Sequence, residues 1–311
     1  MYRIVYAGTP EFAVPALSAL AQSDHDVVAV YTQPDRPAGR GRKLQPGPVK
    51  RCAEAQGIPV FQPQNLGQQH DIEALASLQP DLMVVAAYGL ILPQSVLDIP
   101  RFGCVNIHAS VLPRWRGASP IQQSILSGDP QSGVSLMKME AGLDTGPVIA
   151  TQKVDIDSTW NASDLHDVLA PLGAELLMDN LSQLEIVMQA AKPQNDAESC
   201  YAPLIRKSDA EIDWGKTAEQ LLREIRAFNA WPVSYTFLQG ENLRIWSAEA
   251  TDRSATAKPG SVETHDASGL YVNCGDQIIR VNELQFAGRR RCSAAEACNA
   301  RNLSQLQLGQ A

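Results

Sequence analysis

The sequence predicts an α/β chain of two domains: a parallel sheet flanked by helices, followed by a small β-barrel or sandwich. Three observations predict it. Through the first half, apolar strand-like runs alternate with stretches of helical spacing. Around 190–207 the periodicity stops in the polar run AAKPQNDAESCYAPLIRK. Beyond it lie one amphipathic stretch and several short alternating segments separated by glycine turns.

The elements follow in order. RIVYAG (3–8) is a short strand of the buried type. TPEFAVPALSALAQS (9–23) reads as a helix, with Thr9 as cap and Pro10 in the tolerated first turn. DVVAVYT (26–32) is a strand, PVKRCAEAQG (48–57) a helix ending at Gly57, and IPVFQP (58–63) a third strand. HDIEALASLQ (70–79) is a helix; PDLMVVAAYG (80–89), fully apolar, and GCVNIHAS (103–110) are strands. SPIQQSILSGD (119–129) is helical from a Ser119 cap, SGVSLMKME (132–140) is a strand, and 162–184 is a long helix. After the polar run, TAEQLLREIRAFN (217–229) is a helix. The strands of the second domain are 233–238, 242–250, 260–266, 269–275 and 277–286. The expected division is a catalytic domain over 1–189, a linker over 190–206 and a second domain over 207–311.

Composition excludes several classes. A chain of 311 residues is long for one core. With 44% hydrophobic and 19% charged residues it is an ordinary globular chain. No apolar run approaches the roughly 20 residues of a membrane helix. The start MYRIVYAGTPEF lacks the charged and apolar regions of a signal peptide, so a cytoplasmic location and no membrane partner are expected. The six cysteines form no C-x-x-C pair and lie at no zinc-finger spacing from a histidine. Reduced thiols and no metal are therefore expected. The net charge of −8 argues against a polyanionic partner for the chain as a whole, but a global sum hides local patches.

One such patch is the loop TQPDRPAGRGRKLQPGPVKR (32–51), with Arg36, Arg40, Arg42, Lys43, Lys50 and Arg51 against the single acid Asp35. Closely spaced cations neutralise successive phosphates, and glycines let a loop mould to its partner. The plainer alternative is a solvated mobile loop. The glycine in AGTPEF (7–12) sits where a phosphate cradle often forms, but no G-x-G-x-x-G accompanies it, which favours a tight strand-to-helix turn.

The chemistry concentrates in VNIHASVLPRWRGASP (105–120). Asn106 and His108 stand near the carboxyl end of their strand, where open α/β sheets bind ligands. As plain edge residues they would need no function. Asp144, in EAGLDTGPV (140–148), supplies a carboxylate to fix the imidazole tautomer and stabilise its cation. The other histidines lie in polar turns, on a helix or in a loop. Together Asn106, His108 and Asp144 suit acyl transfer: an amide donor for an oxyanion, a proton shuttle and its orienting acid. No serine or cysteine is placed as a nucleophile; Cys104 shares the face of Asn106 but lies deeper in the sheet. This favours direct transfer to an external nucleophile.

NIHASVLPRWRGASP, GLDTGPV, QPDRPAGRGRKLQPGPVK and IRAFNAWP (225–232) together resemble the methionyl-tRNA formyltransferase family over nearly the whole chain, least after about residue 240. The resemblance implies a Rossmann-like N-terminal domain joined to an OB-like β-barrel that binds tRNA. It also implies formyl transfer from 10-formyltetrahydrofolate to the methionine of initiator tRNA. Asn106, His108 and Asp144 are then catalytic, and Ser110, Val111, Leu112 and Pro113 line the folate pocket. Arg36, Arg40, Arg42 and Lys43 contact tRNA. Val111 replaces the family's usual leucine, and Ser119 and Ala230 replace its commoner Ala and Pro. Family analogy implies a monomer with no metal. Glycinamide ribonucleotide and sugar-nucleotide formyltransferases share the three polar residues. The first explains neither the basic loop nor residues 207–311; the second is the closer rival. A non-catalytic tRNA-binding module would not need the three residues intact. Arg114, Trp115 and Arg116 face tRNA or tie down the turn. Arg289, Arg290 and Arg291, with Arg206 and Lys207, extend a basic surface or are simply solvated.

Overall fold

The computed structural model describes residues 1–38, 41, 43–266, 268–300, 303 and 306–309. The chain divides into two compact units. The first comprises Met1–Pro120, Gln131–Asp155 and His166–Ala202; the second comprises Ile121–Pro130, Ile156–Leu165 and Pro203–Ala311.

The chain begins with β1 (Arg3–Gly8), α1 (Val14–Ala21), β2 (Asp26–Tyr31) and a small hairpin of β3 (Arg36–Ala38) and β4 (Lys43–Gln45). Next come α2 (Pro48–Ala55), β5 (Val60–Phe61), α3 (Gln69–Ser77), β6 (Leu82–Ala86), α4 (Gln94–Leu97) and β7 (Cys104–His108). They are followed by β8 (Arg116–Gly117), α5 (Pro120–Ser127), β9 (Gln131–Lys138), β10 (Val148–Asp155), α6 (Ala162–Leu181), α7 (Leu184–Gln189) and β11 (Tyr201–Ala202).

The main sheet has the order β10-β9-β7-β6-β1-β2-β5. From β5 to β7 it is parallel. The chain winds outward from β1 through β2 to β5, then returns to the other side of β1 with β6 and β7. That reversal is the switch point of a Rossmann-like sheet. Residues of β6 and β7 are buried throughout, which explains their nearly unbroken apolar runs.

The expected parallel sheet carries two antiparallel strands at one edge. β9 runs antiparallel to β7, and β10 antiparallel to β9. A short loop joins β9 to β10, and only antiparallel neighbours can be joined that way. β10 itself escaped the sequence reading because much of this edge strand is exposed. The first helix also starts later than its pattern indicated. A 3-10 turn, Glu11–Ala13, precedes α1. Thr9 is no cap; its hydroxyl donates to the Tyr88 carbonyl at 2.9 Å. Gly8 serves packing: a Cβ there would meet Ala13 Cβ at 2.7 Å and Ala86 O at 2.9 Å.

The polar stretch expected to be a linker is divided. Lys192 bridges to Val148, and β11 pairs in parallel with β8, so residues up to Ala202 belong to the first unit.

The second unit adds α8 (Ala218–Ala227), β12 (Tyr235–Leu238), β13 (Glu241–Ser254), β14 (Val262–Asp266), β15 (Gly269–Asn273), β16 (Gln277–Phe286), β17 (Cys292–Ser293) and α9 (Ala294–Ala300). Thr217 and Gln220 form a capping box that starts α8. The sheet is antiparallel in the order β12-β13-β16-β15-β14, with β17 on β16. Three register shifts between β13 and β16 bend it. Gln307 and Leu308 then bridge to Ser261 and Leu238, tying the chain end to both outer strand regions. Trp214, Leu221, Ile225, Leu243, Ile245 and Val281 fill its interior.

Candidate active site

Asn106 and His108 project from β7 to one face, as residues two apart on a strand must. They are 8% and 5% exposed, at the floor of the surface rather than sealed in the core. Asp144 does not come from a strand. It stands in the loop between β9 and β10 with φ +52°, in the left-handed region. Its Oδ1 accepts a long hydrogen bond from Asn106 Nδ2, 3.4 Å. Its Oδ2 accepts from the Gly117 N–H at 2.8 Å and lies 3.7 Å from His108 Nδ1. The three residues expected to act together are therefore brought together.

The tautomer is fixed by a partner the sequence reading did not supply. His108 Nε2 lies 2.9 Å from the Trp115 carbonyl oxygen. A carbonyl only accepts, so Nε2 carries the proton of that bond and Nδ1 faces the carboxylate. Asp144 thus opposes the ring nitrogen that bears a lone pair, and Trp115 holds the other.

Arg114, Trp115 and Arg116 each have a task within the turn. The Arg114 guanidinium lies over the Trp115 ring, 4.4 Å from its centroid. The Trp115 N–H points at Cys200 Sγ, 3.3 Å away. Arg116 is only 2% exposed. It pairs with Asp196 at 2.8 Å and donates from Nε to Gln194 Oε1 at 2.9 Å. These partners come from the aperiodic stretch before Ala202, where no pattern marked them.

Ser110 and Leu112, expected to line a folate pocket, are buried within the turn. The Ser110 hydroxyl donates to Arg114 O at 2.6 Å. Ser135, fully buried on β9, donates to Ser110 O at 2.7 Å and accepts from the Leu112 N–H at 3.0 Å. Val111 and Pro113 are half-buried. Ser135→Ala should leave Leu112 N–H unpaired and cost about 1–3 kcal/mol. Thermal unfolding should show a fall of several degrees, roughly 2–4 °C per kcal/mol. An unchanged midpoint would remove Ser135 as the stitch of this turn.

Cys104 is buried beneath Asn106 on β7. Burial, with Asp98 nearby, pushes its thiol up to about 12.

In the basic loop, Arg36 and Lys43 are exposed on the β3–β4 hairpin. Arg36 donates to Gln33. Arg40 and Arg42 lie outside the described residues. Lys50 pairs with Asp35 at 2.7 Å, and Arg51 with Glu11 at 3.2 Å. Hydrogen bonds from Lys50 and Gln62 hold the Asp35 carboxyl below its usual range. The base of the loop is thus neutralised while its hairpin stays cationic. In the second unit, Arg291 pairs with Glu283 and lies over the Trp246 ring at 4.7 Å.

An amide donor, an imidazole and an opposing carboxylate at a strand's carboxyl end are an arrangement able to serve acyl transfer. Comparison with known proteins agrees. The Formyl transferase family matches residues 2–181, and its C-terminal domain matches residues 204–302. The chain belongs to the formyl transferase family and is a formyl-transferring enzyme.

Within that family, its near-full-length likeness is to methionyl-tRNA formyltransferases. It is 52% identical over 307 residues to that of Methylococcus capsulatus, covering 99% of each chain. It is 47% identical over 298 residues to that of Coxiella burnetii, covering 96% of this chain and 95% of the other. Solved structures share the fold at low identity. The N-formyltransferase from Helicobacter canadensis in complex with folinic acid and dTDP-3-aminofucose aligns with TM-score 0.65 at 19% identity, covering 90% of this chain and 99% of that one. HypX from Aquifex aeolicus in complex with tetrahydrofolic acid aligns with TM-score 0.64 at 16% identity, covering 98% of this chain and 48% of that protein.

Proposed function

We propose that the enzyme moves the formyl group of 10-formyltetrahydrofolate onto the α-amino group of methionine carried by initiator tRNA. The convergence of Asn106, His108 and Asp144 at the end of β7 carries this reading. The donor set fits a formyl carbonyl: a side-chain N–H for its oxygen and an imidazole beside it.

The geometry supports the following roles. The α-amino group titrates near 7.7–8.0 when free, so a useful share is unprotonated at neutral pH. The amine nitrogen bonds to the formyl carbon, and the bond from that carbon to folate N10 breaks. Asn106 Nδ2 donates to the carbonyl oxygen as negative charge develops there. His108 Nδ1 takes the proton shed by the amine and returns it to the departing N10. Asp144 Oδ2, held by the Gly117 N–H, stabilises the imidazolium. The Trp115 carbonyl keeps the ring from turning.

Ser110, Val111, Leu112 and Pro113 are assigned to wall the folate, Val111 and Pro113 with the more open side chains. Arg36, Arg40, Arg42 and Lys43 are assigned to tRNA phosphates, with further contacts from the second domain, 207–311, in a monomeric enzyme. The deciding assay offers the folate donor with charged initiator tRNA and, separately, glycinamide ribonucleotide and amino-sugar nucleotides. Tetrahydrofolate release with the tRNA alone is expected; release with a sugar nucleotide would replace this reading. Each phosphate neutralised costs about 3.5-fold in affinity between 50 and 200 mM salt. With all four contacts made, kcat/KM should fall roughly 150-fold over that range. A flat salt profile would remove the loop from tRNA binding.

A further inference from the structure

We propose that Gln194 is a positioning residue for Asp144, locked in place by the buried Arg116. The inference rests on the catalytic role given to Asp144 above.

Gln194 stands outside the sheet, in the stretch that precedes β11. Its Nε2 donates to the carbonyl oxygens of Asp144, at 2.8 Å, and Gly146, at 2.7 Å. One amide nitrogen thus fastens the loop at Asp144 and two residues beyond it. That fastening matters because Asp144 holds φ +52°. An L-residue keeps such a conformation only where its surroundings over-determine it. Gly146, two residues on, leaves no slack either, since a Cβ there would run into Lys138 O.

The other end of the amide is equally specified. Gln194 Oε1 accepts from Arg116 Nε at 2.9 Å, and Arg116 Nη2 pairs with Asp196 Oδ1 at 2.8 Å. A guanidinium only 2% exposed must be paired, so Arg116 fixes which way the Gln194 amide faces. Arg116 and Gly117 adjoin in β8. One holds the Asp144 backbone through Gln194; the other aims its carboxylate through a backbone N–H. The site therefore needs a side chain that accepts from a cation and donates to two carbonyls at once. Glutamine does both; glutamate only accepts.

Gln194→Glu separates the two tasks. It keeps a partner for Arg116 and removes the donation to Asp144 and Gly146. Turnover should fall about 10- to 30-fold, because a displacement near 1 Å costs on the order of a hundredfold at the limit. KM for donor and acceptor should change less than about threefold, as expected when only the transition state is affected. The decisive measurement repeats the substitution in an Asp144→Ala background, with Gln194→Ala as a parallel variant and thermal unfolding as the check on folding. A residue acting through Asp144 loses nothing further there, so less than about a twofold additional drop is expected. Equal losses in both backgrounds, or full turnover in Gln194→Glu, would overturn the proposal while leaving the role of Asp144 standing. Near-normal turnover in Asp144→Ala alone would overturn both.

Discussion

His108→Ala is expected to lower kcat by about three orders of magnitude, with donor binding intact. General acid–base groups contribute roughly 10²- to 10⁴-fold, and this imidazole serves both the arriving and the departing nitrogen. Asp144→Asn should approach the same loss by a different route. The substitution keeps the volume and can keep an acceptor for the Gly117 N–H. It removes the charge facing Nδ1 and can present an amide N–H to the lone pair that must take the proton. Both variants should unfold within a few degrees of the parent, since neither side chain fills the apolar core. The measurement is single-turnover formylation with saturating donor, with tetrahydrofolate binding followed separately. Near-normal turnover in either variant would sink the assignment.

Asn106 and His108 were legible as a polar pair because they stand two apart on one strand, whereas Asp144, in a loop, was picked out only as a carboxylate partner for the histidine. Asn106 and His108 follow a run too apolar to be anything but an interior strand. Their neighbourhood was legible only in part. Trp115 acts on His108 through a carbonyl, and residue identity does not announce the role of a backbone atom. Arg116 reads as surface charge beside Arg114, yet it is buried. Its acid and its amide partner are Asp196 and Gln194, in a stretch with no periodicity to mark it as structured. β8 and β11 are two residues each, below what any alternation can reveal. Strand direction is similarly silent: 132–140 alternates correctly for either sense, so its antiparallel pairing with β7 left no mark in the pattern. In the basic loop, composition counted Lys50 and Arg51 as available, whereas Asp35 and Glu11 already neutralise them.

The same reasoning makes Gly117→Val a severe substitution despite its distance from the sheet interior. Gly117 has φ +116°, a region essentially reserved for glycine. A Cβ there would meet Ala202 O at 2.6 Å, and that oxygen belongs to β11, which is paired with β8. The contact is with backbone, so no side chain can rotate away. β8 must part from β11, and the Gly117 N–H moves off Asp144 Oδ2 as it does. The Trp115 carbonyl, two residues earlier, shifts against His108 Nε2. One displacement then disturbs both nitrogens of the imidazole. A loss of at least a hundredfold in kcat is expected from misplacement of roughly 1 Å. Backbone strain of about 1–3 kcal/mol should lower the unfolding midpoint as well. Gly240→Ala is a control for positive φ itself, to be read beside Gly117→Ala: φ is +80°, but a Cβ there meets nothing within 4 Å. It bears strain without the clash and lies in the turn between β12 and β13. If Gly117→Ala and Gly240→Ala lose activity alike, the pairing of β8 with β11 does not hold the imidazole, and strain alone accounts for the effect.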